Sequence, residues 1–255
     1  MGELVTLERI GKVLLITLNR PEARNAINLE TAQELAQALD ELDSSPEVAV
    51  GVLTGAHQTF CAGMDLKAFA KTGQRPYVGD RGFAGICERP PRKPLIAAVE
   101  GYCLAGGFEI ALSCDLIVAS RKASFGLPEV KRGIVPGSGG MVRLPSRVPY
   151  HVAMEMVLTG GMYPAERMAE LGLVNRLAEE GQAREQALEL AGQIAANGPL
   201  AVQTAKRIVS ESRDWRQADM FDLQRPRIAA IFTSADAKEG ATAFAEKREP
   251  VWQGK

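Results

Sequence analysis

Leu95-Ile96-Ala97-Ala98-Val99-Glu100-Gly101-Tyr102-Cys103-Leu104-Ala105-Gly106-Gly107-Phe108-Glu109 runs from an apolar stretch through a glycine-marked turn into a helix. Five apolar residues between Pro94 and Gly101 predict a strand buried on both faces. Gly106-Gly107 ahead of Phe108, Ile110, Ala111 and Leu112 predicts a helix starting at the pair. The same order stands upstream. Residues 48–54 predict a buried strand, a loop covers 55–63, and Phe60-Cys61-Ala62-Gly63-Met64-Asp65-Leu66 leads into a short helix from Asp65. Glycine lets backbone approach a ligand closely, and a helix start carries unpaired N–H donors with partial positive charge. Two such N–H groups aimed at one point would hold a carbonyl oxygen as it gains negative charge. Taken singly, each glycine turn reads as close packing; two of them, each after a buried strand, weaken that reading.

Working outward, residues 4–10 and 13–18 predict a β-hairpin around Gly11-Lys12. Leu35, Leu39 and Leu42 at helical spacing predict a helix over 29–43, stopped by Ser44-Ser45-Pro46. The stretch 72–94, rich in Gly and Pro, reads as mostly irregular. Further strands are expected at 115–119, 124–125 and 173–177, with helices at 138–147, 150–158 and 164–170. From 182 onward the chain reads as four helices, at 182–197, 199–213, 217–232 and 235–246. Strands alternating with helices, then helices alone, predict an α/β core with an appended helical region, divided as 1–195 and 196–255.

Composition narrows the function. The chain has 255 residues, with 30 Lys+Arg against 31 Asp+Glu, so the net charge of −1 argues against a strongly basic nucleic-acid binder. No apolar run reaches the ~18 residues of a membrane span, and the first twenty residues lack the pattern of a secretory leader, so a cytoplasmic protein is expected. Cys61, Cys87, Cys103 and Cys114 form no C-x-x-C pair, and the only histidines are His57 and His151. The expectation is therefore four buried or half-buried thiols and no metal site. Scarce histidine turns acid–base chemistry towards carboxylates. Nucleotide and hydrolase signatures fail: the P-loop spacing from Gly101 to Gly106 has Gly107 where Lys is needed, and Pro136-Gly137-Ser138-Gly139-Gly140 lacks the first Gly of a nucleophile elbow.

Two acids fit such chemistry. Glu109 lies three residues past Gly106, on the same helix face and beside apolar neighbours. Glu129 follows Pro128 in Phe125-Gly126-Leu127-Pro128-Glu129, just before Gly133-Ile134-Val135-Pro136. Alone, the first reads as a surface acid and the second as a first-turn acid. Two desolvated carboxylates sharing one water would split their pKa values into an acid and a base, as addition of water to a double bond requires.

Over its whole length the chain resembles the enoyl-CoA hydratase/isomerase (crotonase) family. The resemblance is carried by Asn19-Arg20-Pro21 with Arg24-Asn25-Ala26, by 60–66, by Lys93–Val99 running into Gly106–Glu109, by 125–129 with 133–136, and by Ala243-Phe244-Ala245-Glu246-Lys247-Arg248. It implies a ClpP-like spiral of ββα units with a C-terminal helical trimerisation region, assembled as a homotrimer or homohexamer. It also implies an oxyanion hole from the backbone N–H groups of Met64 and Gly106, and catalysis by Glu109 and Glu129. The substrate would be an acyl-CoA thioester, with coenzyme A part of the substrate and no separate cofactor. Ala62, Asp65, Leu66 and Lys67 would cradle the adenine end, Arg24 and Ala26 would lie near phosphates and pantetheine, and Leu104 and Pro128 would touch substrate. Lys247 would reach a phosphate, on a neighbouring subunit in one version.

Both glutamate positions of the hydratase branch are filled. The implied reaction is therefore reversible addition of water across the 2,3 double bond of a 2-enoyl-CoA. Gly82-Phe83-Ala84-Gly85, Gly107-Phe108-Glu109 and the tail 246–255 resemble carnitinyl-CoA dehydratases, whereas 60–67 and 197–202 resemble hydratases of steroid side-chain thioesters. Rival readings are a double-bond isomerase using Glu129 alone, an RNA-binding relative, and an inactive assembly subunit. Basic pairs such as Arg121-Lys122 and Lys206-Arg207 are scattered and offset by acids, against the second; filled acid positions speak against the third. Apolar residues in the C-terminal helices, among them Trp215, Phe221, Phe232 and Phe244, hint at assembly.

Overall fold

The computed structural model describes residues 4–255; Met1, Gly2 and Glu3, the start of the segment read for a leader, lie outside them. Eleven strands lie among the described residues: β1 Val5–Ile10, β2 Val13–Leu18, β3 Val50–Gly55, β4 Tyr77–Val78, β5 Gly82–Phe83, β6 Leu95–Val99, β7 Tyr102–Leu104, β8 Leu116–Ser120, β9 Ser124–Gly126, β10 Met162–Pro164 and β11 Arg176–Ala178. Ten α-helices accompany them: α1 Leu29–Ser44, α2 Leu66–Thr72, α3 Gly106–Ser113, α4 Gly140–Arg143, α5 Tyr150–Thr159, α6 Ala165–Glu170, α7 Ala183–Ala195, α8 Pro199–Glu211, α9 Met220–Phe232 and α10 Ala235–Glu246.

Period-2 alternation sorts the main sheet's side chains between two cores. Val13 and Leu15 of β2, Val50 and Val52 of β3, and Ile96 and Ala98 of β6 face α7, whose Ala183, Ala187, Ala191 and Ala195 form a stripe at every fourth residue. The intervening Leu14, Ile16, Leu18, Leu53, Leu95, Ala97 and Val99 face the larger core with Leu35, Leu39 and Leu42 of α1. Full burial on both faces suits a parallel sheet. Its order is β1-β2-β3-β6-β8-β11, parallel except for the β1–β2 hairpin.

A second sheet, β10-β9-β7, explains how the site is built. The chain places β6 in the large sheet, β7 in the small one, then enters α3; it next places β8 in the large sheet and β9 in the small one before its following helices. The turn begun by β3 repeats the pattern, since Cys61 bridges in parallel to Cys103 of β7 before α2. This is the spiral of ββα turns that the resemblance implies. Each turn brings a glycine-containing corner to one end of the small sheet.

Four local expectations are corrected. The turn at 101–105 contains β7, and β10 forms where no strand was expected. Residues 138–147 do not make one helix: α4 stops at Arg143 and a 3-10 turn covers Leu144–Ser146, where Pro145 offers no N–H to continue the ladder. The last strand starts at Arg176, because the N–H groups of Leu173 and Val174 both donate to the Met168 carbonyl and close the turn after α6. All four cysteines are buried and unpaired, as expected.

Candidate active site

The corner after β7 turns on Ala105, whose φ of 52° and ψ of −129° are uncommon for a residue with a Cβ. That turn starts α3 at Gly106, and all eight residues of α3 are buried. Gly63 lies across from it: a Cβ there would stand 2.9 Å from Ala105 Cβ and 3.1 Å from Gly106 N. With a φ of 100°, Gly63 also holds a conformation that L side chains rarely adopt. The two corners thus meet backbone to backbone. Met64 follows Gly63, bridged in parallel to Ile27. Among the described residues, the N–H groups of Met64 and Gly106 donate to no protein acceptor. The ring of Phe83 covers Gly106 so closely that a Cβ would stand 2.5 Å from it.

Glu109, one turn into α3, is buried, with 3% of its surface exposed. Its Oε1 accepts from Ser138 N–H at 2.6 Å and Gly140 N–H at 2.9 Å. Burial pushes this carboxyl above its ordinary range, against those donors and the Arg143 guanidinium. Glu129 sits in a 3-10 turn over Pro128–Arg132 and is buried too, but its Oε2 has no hydrogen-bond partner. Burial first, and then the charge of Glu109, push the Glu129 carboxyl up to about 7. The two acids are therefore electrostatic neighbours in different settings: Glu109 is fixed by backbone donors, and Glu129 is poised to hold or release a proton near neutrality.

The other acid of the opening stretch, Glu100, does other work. It is buried, and its Oε1 accepts the N–H of Ala183 at 2.9 Å, capping α7.

The residues ahead of α2 are only partly free for a ligand. Asp65 caps α2, accepting from Lys67 N–H at 3.1 Å and Ala68 N–H at 3.0 Å, and pairs with Arg20 at 3.0 Å. Burial opposes its charge, but Ala68 N–H and Arg20 outweigh it and hold the carboxyl below its ordinary value. The Arg20 guanidinium also donates to the Ala26 carbonyl. Arg20, in sequence only one member of Asn19-Arg20-Pro21, is the tie between the two segments. Ala62 N–H donates to the Arg24 carbonyl at 3.1 Å, while the Arg24 guanidinium lies over the Tyr102 ring, 5.7 Å from its centre. Leu66 and Lys67 begin α2 on the surface, and Leu104 and Pro128 are half-buried at the corners after β7 and β9. A cleft of about 330 Å³ opens between the start of α1 and α2, lined by Ile27, Asn28, Asp65, Ala68 and Thr72; neither glutamate lines it.

Lys247 stands apart. It ends α10 on the surface, in the left-handed region at φ 56°, and its ammonium pairs with none of these residues. No group of three His, Cys, Asp or Glu side chains among the described residues could hold a metal, and no described helix is long and apolar enough to cross a membrane.

A parallel-rich spiral of ββα turns carrying two buried glutamates, Glu109 and Glu129, defines a class of protein, and the chain's relatives share that fold. The model of the family described as enoyl-CoA hydratase/isomerase matches residues 8–255. The chain belongs to that family. Enoyl-CoA hydratase EchA19 of Mycobacterium tuberculosis is 42% identical over 258 residues, covering 98% of this chain and 96% of the relative. The carnitinyl-CoA dehydratase of Escherichia coli O157:H7 is 42% identical over 263 residues, covering both chains fully. The crystal structure of an enoyl-CoA hydratase from Mycobacterium tuberculosis H37Rv superposes with a TM-score of 0.97 at 56% identity, again over both whole chains.

Proposed function

We propose that the protein adds water reversibly across the 2,3 double bond of a 2-enoyl-CoA thioester. The observation that carries this reading is the unequal pair of buried carboxylates beside two unpaired N–H groups. The N–H groups of Met64 and Gly106 receive the thioester oxygen and stabilise the enolate as it forms. Glu109, with Oε1 held by two donors, orients a water through its second oxygen and takes a proton from it. The water oxygen bonds to Cβ, and the double-bond electrons move onto Cα and the thioester carbonyl. Glu129 delivers its proton to Cα, and the two carboxyls then exchange one proton through solvent to reset. Both family-named relatives above are consistent with this reaction; they differ in the acyl group.

Coenzyme A enters as part of the substrate, and no separate cofactor is involved. Arg24, Ala26, Ala62, Asp65, Leu66 and Lys67 line its path, with Leu104 and Pro128 at the acyl end; Asp65 acts there through the loop it braces. Residues 196–255 form the region through which subunits assemble as a homotrimer or homohexamer, with Lys247 reaching a phosphate of a neighbouring subunit's substrate. This is supported by α8 and α9, which bury no residue, and by Phe221, Phe232 and Phe244, exposed at 69%, 78% and 88%. Four unpaired thiols suit a reducing, cytoplasmic location.

The test is loss of the conjugated-thioester absorbance with crotonyl-CoA, a longer 2-enoyl-CoA and crotonobetainyl-CoA. Hydration by the wild type, lost in both Glu109→Gln and Glu129→Gln, is expected, and the three rates rank the acyl groups. Double-bond migration without hydration, surviving Glu109→Gln, would overturn the reading in favour of an isomerase.

A further inference from the structure

The segment 74–83, between α2 and β6, makes a polar contact with the Glu109 anchor. The Tyr77 hydroxyl lies 2.9 Å from Ser138 Oγ, and Ser138 is the residue whose N–H holds Glu109 at 2.6 Å. Arg75 Nη2 donates to the same Tyr77 hydroxyl at 2.9 Å, and the guanidinium stacks over the Tyr77 ring, 4.5 Å from its centre. The Tyr77 ring in turn meets Phe83 edge-on at 5.9 Å, and Phe83 is the ring that covers Gly106. One tyrosine thus touches the cover of one N–H corner and the anchor of one acid.

Hydrogen-bond directions follow from donor chemistry. A guanidinium only donates, so the Tyr77 oxygen accepts from Arg75. The Ser138 side chain also bonds the Glu109 carboxylate, which can only accept, so the one hydroxyl proton of Ser138 goes there and Tyr77 donates to Ser138 Oγ. We infer that Tyr77 is a positioning residue for Glu109, acting through Ser138, and that the Arg75–Tyr77–Ser138 relay fastens segment 74–83 onto the loop that fixes this carboxylate. The inference rests on the hydratase reading for its consequence in catalysis, and on distances alone for its physical content.

The other groups facing Glu109 are the Arg143 guanidinium of α4, the Cys87 thiol and the Glu129 carboxyl. Among the described residues the Tyr77 hydroxyl bonds Arg75 and Ser138, so its removal reaches Glu109 through Ser138.

The test compares wild type, Tyr77→Phe, Ser138→Ala and the double variant. One hydrogen bond of ordinary worth predicts that kcat for crotonyl-CoA hydration falls about tenfold in Tyr77→Phe. KM is expected to stay within about twofold, because the bond acts on the acid and not on the substrate. Tyr77→Phe in the Ser138→Ala background is expected to add nothing further. The second readout needs no turnover: in protein labelled with carboxyl-13C glutamate, the Glu109 resonance, assigned by its loss in Glu109→Gln, titrates at higher pH in Tyr77→Phe than in wild type. An unmoved Glu109 titration overturns the inference whether or not the enzyme hydrates anything. So does a rise in KM alone, which would make Tyr77 a wall of the acyl pocket. A wild type that hydrates no enoyl-CoA while the titration still moves would sink the hydratase reading and leave the relay standing.

Discussion

The two acids of the site are held in opposite ways. Glu109 comes from an α-helix buried on every residue and gives one oxygen to two backbone donors. Glu129 comes from a single 3-10 turn and keeps a buried oxygen with no partner. Burial raises both carboxyls; at Glu109 two backbone donors, Arg143 and the Ser138 side chain oppose it, whereas at Glu129 its own backbone N–H opposes it and the charge of Glu109 adds to it. On the proposed mechanism, the fold obtains an acid and a base from one residue type by what it supplies to each carboxylate, not by how deeply it buries it.

The sharpest way to break this comparison is to neutralise each acid. General acid–base groups contribute about 10²- to 10⁴-fold, so kcat is expected to fall by that order in both Glu109→Gln and Glu129→Gln, measured with crotonyl-CoA. The pH profile separates them. In the proposed mechanism hydration needs Glu129 protonated, so kcat/KM is expected to fall as pH rises through about 7, and that alkaline limb is expected to vanish in Glu129→Gln. A limb that survives the substitution assigns the proton to another group.

Stability gives the next largest effect. A carboxyl whose native pKa is raised binds its proton more tightly folded than unfolded. Its contribution is intact below the ordinary value of 4.5 and is lost as pH rises to about 7. Glutamine does not titrate, so Glu129→Gln is expected to be more stable than wild type at pH 8, by at most about 3 kcal/mol, and no more stable at pH 4. Urea unfolding at the two pH values measures this. Glu109→Gln is expected to gain less, since the wild-type carboxylate already has two donors.

Gly140→Ala tests the anchor directly. Its φ lies outside the left-handed region, so the substitution acts by contact: the new Cβ would stand 3.1 Å from Leu127 Cδ1 and Pro136 Cβ and 3.2 Å from Glu109 Oε1. Displacing the carboxylate by a few tenths of an ångström is expected to lower kcat about tenfold with little change in KM. A wild-type kcat would mean that the loop yields and that Glu109 does not depend on its position.

Much of this was legible in the sequence, for identifiable reasons. Period-2 patterns and apolar runs located β1, β2, β3, β6 and β8, and the glycine pair located the start of α3. The places of Glu109 and Glu129 were legible as residue types in motifs. Their unequal settings were not, because the groups that distinguish them are backbone N–H donors of Ser138 and Gly140, which every residue but proline carries. The same fact hid the late start of the helix expected over 138–147, since the N–H groups of Ser138 and Gly140 donate to Glu109 and the helix begins at Gly140. Tyr77 escaped notice because its partner is sixty-one residues away, in a segment whose Gly and Pro content reads only as irregular. Side-chain type signals chemistry, while the supports of that chemistry are long-range geometry.

The smallest expected effect is also the control for the comparison. Glu100 is a third buried glutamate, nine residues before Glu109 and on the same run of sequence, yet its one bond goes to Ala183 N–H at the start of α7. A glutamine there presents the same acceptor oxygen to the same donor, so Glu100→Gln is expected to cost less than about 1 kcal/mol and leave kcat and its pH profile as in wild type. Glu100→Ala leaves that buried N–H unpaired and is expected to cost about 1–3 kcal/mol in urea unfolding, still without changing the pH profile. A changed profile in Glu100→Gln would show that charge on this side of β6 reaches the site. The separation of roles would then belong to three acids, not to the two that the corners enclose.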